Sequence, residues 1–230
     1  MLDEIRLADA AEASPSTSRA GRAAAPAIQA TPPVLARLRE ATGEQHERLR
    51  CLMPLAAPSP TLSDYLSHLL VLRAWLSPLE PWLAACGDGL AAQAAAVPPV
   101  DRLALIDVDL AAAPREARLA GPAPLAPWWP ADAGRAYRWG ASYVIEGSQM
   151  GGSVLYQRLQ ERLAPHPLGF LVSGRNGLSM RWKAFVRCLA AELAAPHEID
   201  AACRGAADVF DRLGVLARAG REPDAAGLAG

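Results

Sequence analysis

Residues 137–159 combine a helical pattern with four glycines, and this combination limits the possible fold more than any other feature of the chain. Each glycine inside a helix costs about 1 kcal/mol relative to alanine. At about 100° per residue, Gly140, Gly147 and Gly151 fall on one side of the helix, and Gly152 follows directly. A side without side chains can receive either a closely packed helix or a large flat body. The glycines alone leave both interpretations open.

The rest of the chain also follows the helical period. Apolar residues recur at helical spacing over 34–53, and Thr31-Pro32-Pro33 before them is typical of a helix start with Thr31 as the cap. The residues of this stripe are Leu35, Leu38, Thr42, Leu49 and Met53. Further helices are predicted at 64–86, within 88–112, at 178–194 and at 197–219. No segment alternates β-branched residues for long enough to form a convincing strand.

The predicted fold is therefore a single all-α domain over residues 31–219. Residues 1–30 are rich in Ala, Ser and Pro without sustained periodicity, which predicts a disordered tail. Residues 220–230 are rich in Gly and Ala, which predicts a flexible end.

Composition narrows the functional class. The formal net charge of −1 lacks the basic excess of a nucleic-acid-binding protein. We expect no membrane span, because no apolar run reaches the length that a bilayer requires. The four cysteines are far apart, without a C-x-x-C pair, and no secretory signal is evident. These observations predict a cytoplasmic protein with reduced thiols.

The first helix carries a histidine on its apolar side. His46 follows Arg39 by seven residues, which is about 10 Å along the axis and almost two turns, so both point the same way. A neutral imidazole on an apolar side can bind a metal or a haem iron, and the cation could hold the acidic rim of a cofactor. The alternative is a core histidine hydrogen-bonded to a backbone carbonyl.

A second cationic pair lies on the helix predicted at 178–194. Lys183 and Arg187 are four residues apart and share a side, next to Trp182 and Phe185. Two cations beside aromatic rings suit carboxylates that are attached to an apolar body. The alternative is an ordinary solvated basic surface.

Together these segments resemble a known family. Residues 38–49, L-R-E-A-T-G-E-Q-H-E-R-L, resemble the haem-ligand helix of the haem oxygenases, whose pattern is L-K/R-x-A-T-x-x-x-H. Residues 143–152 resemble the distal helix of the bacterial, biliverdin-producing branch, and residues 182–187 are similar to the helix that contacts the haem propionates. The three motifs occur in the family's order, and the resemblance covers residues 34 to about 217.

The resemblance implies an all-α haem-oxygenase fold with haem sandwiched between a proximal and a distal helix. His46 would be the axial ligand of the haem iron. Contacts to the haem would come from Arg39, Tyr143, Gly147, Gly151, Lys183 and Arg187. Ser148 stands where many members of the family have an aspartate that anchors water, so Gly147, Ser148 and Gly151 form the implied distal catalytic group.

The implied reaction is the oxidative cleavage of haem to biliverdin, CO and ferrous iron. It uses O₂ and electrons from an external donor, such as a ferredoxin or its reductase, and a bilin-accepting photoreceptor is a further possible partner. Two other functional classes stay open. One is a haem-binding carrier or sensor without turnover, and the other is a helical interaction protein.

The other histidines fit plain structural roles. His68 lies between leucines and is expected to pack, while His166 and His197 lie near prolines and are expected to be exposed. None of the four histidines follows a glutamate by three residues, so the sequence gives little support to a carboxylate di-iron bundle.

Overall fold

The fold is built from helices alone. The computed structural model describes residues 31–173 and 177–221, and these form seven α-helices and no strand. The helices are α1 (Pro33–Leu52), α2 (Leu62–Ala85), α3 (Arg102–Ala111), α4 (Arg135–Leu159), α5 (Gly169–Val172), α6 (Leu178–Glu192) and α7 (Pro196–Ala219). The all-α prediction is confirmed. The tail predicted at 1–30 and most of that at 220–230 lie outside the described residues. No helix in the described part of the chain is long and apolar enough to cross a bilayer.

The helix starts follow local capping chemistry. Thr61 and Asp64 form a capping box at the start of α2, because each side chain accepts a hydrogen bond from the other residue's backbone N–H. α1 begins at Pro33, and its N-cap is Pro32 without a side-chain hydrogen bond. The prediction that Thr31 caps α1 is therefore wrong. Thr31 lies one residue too early, and the proline ring at the first helical position already fixes the backbone angle.

Helix α7 forms the centre of the fold, because α1, α2 and α4 all pack against it. α1 and α7 run in the same direction. Near their starts, Arg37 lies 3.8 Å from Asp200, and near their ends the guanidinium of Arg221 donates to the Cys51 carbonyl at 3.1 Å. This parallel alignment sets His46 beside the middle of α7.

Two glycines allow α4 and α7 to approach each other closely. A Cβ added to Gly140 would lie 1.8 Å from the carbonyl oxygen of Ala202, and one added to Gly205 would lie 2.2 Å from that of Tyr137. Both distances are far below van der Waals contact. Of the two interpretations that the sequence left open, close helix packing therefore applies to Gly140.

The short helix α5 depends on a buried carboxylate and was not predicted from the sequence. Asp109 accepts hydrogen bonds from the backbone N–H groups of Gly169 and Phe170, at 2.8 and 2.9 Å, and from the Tyr65 hydroxyl at 2.6 Å. His166 lies here half-buried, with Nε2 at 3.1 Å from the Asp109 carbonyl oxygen. The expectation that His166 is exposed is therefore wrong.

The packed histidine of α2 predicts a pH-dependent stability. His68 is 8% exposed, as its place between leucines indicated, and burial lowers its pKa to about 4. An unfolded histidine has a pKa of about 6.5, so the unfolded chain takes up the proton first as the pH falls. The contribution of neutral His68 to the free energy of unfolding is therefore fully present above about pH 6.5. It is lost as the pH falls towards 4.

We expect the wild-type protein to lose about 2 kcal/mol more stability between pH 7 and pH 5 than the His68→Leu variant. Urea unfolding of the protein without added ligand at both pH values measures this difference. The other titrating groups are common to both chains and cancel. Equal pH dependences would show that His68 is protonated without cost.

Candidate functional site

Three neighbouring helices carry the residues that the sequence assigned to a site. α1 and α4 both pack mainly against α7, and α6 contacts both of them. The three motifs noted in the sequence, at 38–49, 143–152 and 182–187, therefore lie on adjacent elements. What each side chain contacts decides which of them can act together.

His46 is buried in α1 at 5% exposure. Its ring meets Phe210 of α7 edge-on, with the centroids 6.0 Å apart. Burial lowers the pKa of His46, so the imidazole is neutral at pH 7. Its Nδ1 atom is buried and has no hydrogen-bond partner among the described residues. His68 and His166 also have a buried Nδ1 atom without a partner, so what distinguishes His46 is its place on the same side of α1 as Arg39.

Tyr143 connects the two helices that would enclose a ligand. The residue is buried in α4, and its side chain interacts with Thr42 and Arg39 of α1. Burial raises the pKa of Tyr143 and outweighs the lowering by these two neighbours, so the phenol stays protonated at neutral pH. Thr42 precedes His46 by one turn, and Tyr143 precedes Gly147 by one turn.

Gly147 differs from Gly140 in what lies beside it. A Cβ added at Gly147 would meet the ring atoms Cη2 and Cζ3 of Trp182 at 3.9 Å, which is ordinary contact distance. Trp182 packs in turn against Tyr143 and Phe185, with centroids 6.0 and 5.5 Å away. Gly147 therefore presents bare backbone beside the rings of Trp182, Tyr143 and Phe185, which together form an aromatic wall. It is not needed for close helix packing.

The two other residues of the implied distal group, Gly151 and Ser148, differ in burial. Gly151 is buried one turn further along α4. Ser148 is half-buried, and its hydroxyl donates to the Ile145 carbonyl at 2.7 Å while accepting from the Gln149 amide at 3.2 Å. The hydroxyl proton of Ser148 is thus engaged within its own helix.

The cations expected at a cofactor rim lie on α1 and α6. Lys183 and Arg187 are exposed and one turn apart on α6, directly after the buried Trp182. Arg39 is half-buried on α1, close to Tyr143. These three side chains lie on helices that contact each other.

A buried charge cluster behind Gly147 was missed in the sequence. Glu146 accepts hydrogen bonds from Arg181 Nε at 2.7 Å, from Arg181 Nη2 at 2.8 Å and from Arg102 Nη2 at 2.6 Å. Arg102 also donates to Glu80 at 2.8 Å. The available signal was a single carboxylate in an otherwise apolar and small-residue stretch. Its partners are 35 and 44 positions away, which no local pattern reveals.

Two cavities have walls that include neither His46 nor Gly147. One, of about 360 Å³, adjoins the charge cluster and is lined in part by Glu146, Arg102 and Arg181. The other, of about 470 Å³, is lined by Thr61, His166 and the residues around them. Neither is assigned to the site. Within 31–173 and 177–221, no three His, Cys, Asp or Glu side chains are grouped so that they could hold a metal ion.

Among solved structures, the fold is similar to the haem oxygenase from Neisseria meningitidis, determined in NO- and CO-bound forms. The TM-score is 0.61 at 21% identity, and the match covers 81% of this chain and 91% of that chain. No protein-family model matches the sequence, and no curated protein matches it. At this identity the likeness shows the fold alone. The chain therefore has the all-α haem-oxygenase fold, and its activity has to be argued from its own residues.

Proposed function

We propose that this protein binds haem between α1 and α4 and is a haem oxygenase. The observation that carries the proposal is, on the same side of α1 as Arg39, the buried and neutral imidazole of His46. One turn before it, Thr42 contacts Tyr143, which itself precedes the bare backbone of Gly147 by one turn. A proximal imidazole and an open distal helix are the two parts that a sandwiched haem requires.

In this proposal each residue has a defined part. His46 would ligate the haem iron, and its neutral imidazole suits that role. Gly147 and Gly151 leave room for the porphyrin and bring no acidic side chain to the distal side. Tyr143 and Trp182 supply apolar surface, which dominates the binding energy. The exposed positions of Lys183 and Arg187, together with Arg39 on α1, suit contacts to the two propionates.

The bound haem supplies the oxygen chemistry, while the protein binds, orients and excludes water. The proposed reaction converts haem to biliverdin, CO and ferrous iron, with O₂ and electrons from a redox protein such as a ferredoxin or its reductase. A bilin-accepting photoreceptor is a suitable product partner. Lys183 and Arg187 on α6 would hold the propionates, and through them would influence which carbon of the haem is oxidised.

Ser148 favours one alternative, a haem carrier or sensor. Its hydroxyl proton is engaged with the Ile145 carbonyl, so it must exchange that bond before it can relay a proton to the distal side. An ordered water held by a backbone carbonyl could replace this relay. The carrier and the oxygenase bind haem alike, and only turnover separates them.

Haem titration with the His46→Ala variant tests the axial ligand. Wild-type protein should bind one haem with the optical and electron-spin signature of a nitrogen ligand, and His46→Ala should lose that signature. The exposed His197 provides the control, because His197→Ala should leave the spectrum unchanged. An unaltered spectrum in His46→Ala would remove His46 as the ligand.

Addition of a reductant to the haem complex under air then separates the functional classes. An oxygenase should release CO and biliverdin, whereas a carrier or sensor should keep its haem intact. A wild-type protein that binds no haem would leave the helical interaction protein as the remaining candidate.

A further inference from the structure

We propose that Glu146 is a positioning residue that fixes the separation between the backbone of Gly147 and the ring of Trp182. The inference rests on the proposed function, because that separation bounds the distal side of the haem. Glu146 directly precedes Gly147, and its main partner Arg181 directly precedes Trp182. The ion pair therefore joins α4 and α6 one residue away from the contact that forms the aromatic wall.

The geometry of the pair resists both sliding and rotation. Both oxygens of Glu146 accept from Arg181, through Nε at 2.7 Å and Nη2 at 2.8 Å. A bidentate bond of this kind defines a plane as well as a distance, which a single hydrogen bond does not. The remaining donor group of Arg181 reaches the Pro98 carbonyl, so the guanidinium is held from a second side.

The carboxylate of the pair is also buried, and it has a second buried partner in Arg102. Glu146 is 3% exposed and Arg102 is 5% exposed. Arg102 donates to Glu146 at 2.6 Å and to Glu80 of α2 at 2.8 Å, so the cluster joins α2, α3, α4 and α6. Burial raises the pKa of Glu146, but the guanidinium groups of Arg181 and Arg102 lower it more, and the carboxylate stays ionised.

Loss of the pair should act on the distal side through α6. Gly147 has no side chain that could hold the Trp182 ring in place. Without the ion pair, the ring can therefore move towards or away from the bare backbone of Gly147. Since Trp182 also packs on Tyr143, such a movement changes the shape of the space next to Gly147. We therefore expect an effect at the haem in addition to the loss of stability that follows from breaking a buried ion pair.

The chain provides a matched control between the same two helices. Arg135 at the start of α4 pairs with Glu192 at the end of α6. Arg135 precedes Glu146 by 11 residues, which is about 16 Å along the helix. Glu192→Gln therefore removes a carboxylate charge that bridges α4 and α6 without touching Gly147 or Trp182.

The test compares Glu146→Gln, Arg181→Lys and Glu192→Gln with the wild type. Arg181→Lys keeps the Arg102–Glu146 pair but cannot make the bidentate bond, so it serves if Glu146→Gln fails to fold. Three quantities are measured: the urea stability of the haem-free protein, the haem dissociation constant, and the C–O stretching band of the ferrous CO complex. The last one reports the surroundings of a distal ligand independently of turnover.

We expect Glu146→Gln and Arg181→Lys to weaken haem binding by about 10- to 100-fold and to shift or split the C–O band. Glu192→Gln should leave both readings as in the wild type. The inference is overturned if either site variant that folds shows wild-type affinity and an unchanged band, or if Glu192→Gln shows equal changes. A wild-type protein that binds no haem would instead overturn the proposed function, and the inference with it.

Discussion

Replacement of Gly140 by alanine should destabilise the protein by about 3 kcal/mol or more, although alanine is the better helix former. The added methyl group would lie 1.8 Å from the Ala202 carbonyl oxygen and within 3 Å of two further backbone atoms. Backbone atoms of a central helix cannot rotate aside as a side chain can. α4 and α7 would have to separate along their shared face, with loss of buried contacts on both helices.

Urea unfolding of the haem-free protein measures this effect, and Gly43→Ala is the control. A Cβ at Gly43 of α1 would meet nothing within 4 Å, so this variant should gain about 0.5–1 kcal/mol from helix propensity alone. The two substitutions are chemically identical and differ only in their surroundings. If Gly140→Ala were as stable as Gly43→Ala, the close crossing of α4 and α7 would be incorrect.

At Gly147 the same kind of change should spare the fold and remove the ligand site. Alanine there meets Trp182 at 3.9 Å, so Gly147→Ala should fold with stability equal to the wild type or greater. Leucine is longer and has to extend into the space beside the bare backbone. We expect Gly147→Leu to stay folded but to bind haem at least about 100-fold more weakly, because a misplacement of about 1 Å is already costly in such sites.

Haem titration of both variants, next to circular dichroism of the haem-free forms, checks this expectation. A folded Gly147→Leu variant that takes up haem with wild-type affinity would show that the distal side of the site lies elsewhere. Gly147 would then serve only to let α4 contact Trp182, and it would not border the haem.

Two glycines that look alike in the sequence have different surroundings in the fold. Helical periodicity was sufficient to predict the long helices, because their apolar stripes lie on one side of each segment. The same pattern put Gly140 and Gly147 together on one bare side of α4. The difference between them depends on Ala202 and Gly205 of α7, which lie more than about 50 residues further along the chain. No local pattern carries that information.

Other features escaped prediction for the same physical reason. The short helix α5 depends on Asp109, and the cluster around Glu146 depends on Arg102 and Arg181. In the sequence, a carboxylate that pairs with a distant residue cannot be distinguished from one that is exposed to solvent. The prediction that Thr31 caps α1 failed for a local reason. A threonine followed by two prolines is compatible with a helix that begins at either proline. Helical spacing indicated the four polar candidates, Arg39, His46, Lys183 and Arg187, but the individual part of each at a haem came from the resemblance to a family, and these parts stay predictions.

The central position of α7 has a consequence for how the chain is made on the ribosome. α1 ends at residue 52 and α7 at residue 219, yet α1 has its main packing partner in α7. At about 5–20 residues per second, roughly 10–30 s pass between the synthesis of these two ends. During that time the apolar side of α1, including His46, has no native partner in α7. We therefore expect the nascent chain to need protection from premature association, and the proposed haem site to form only after translation of the last helix.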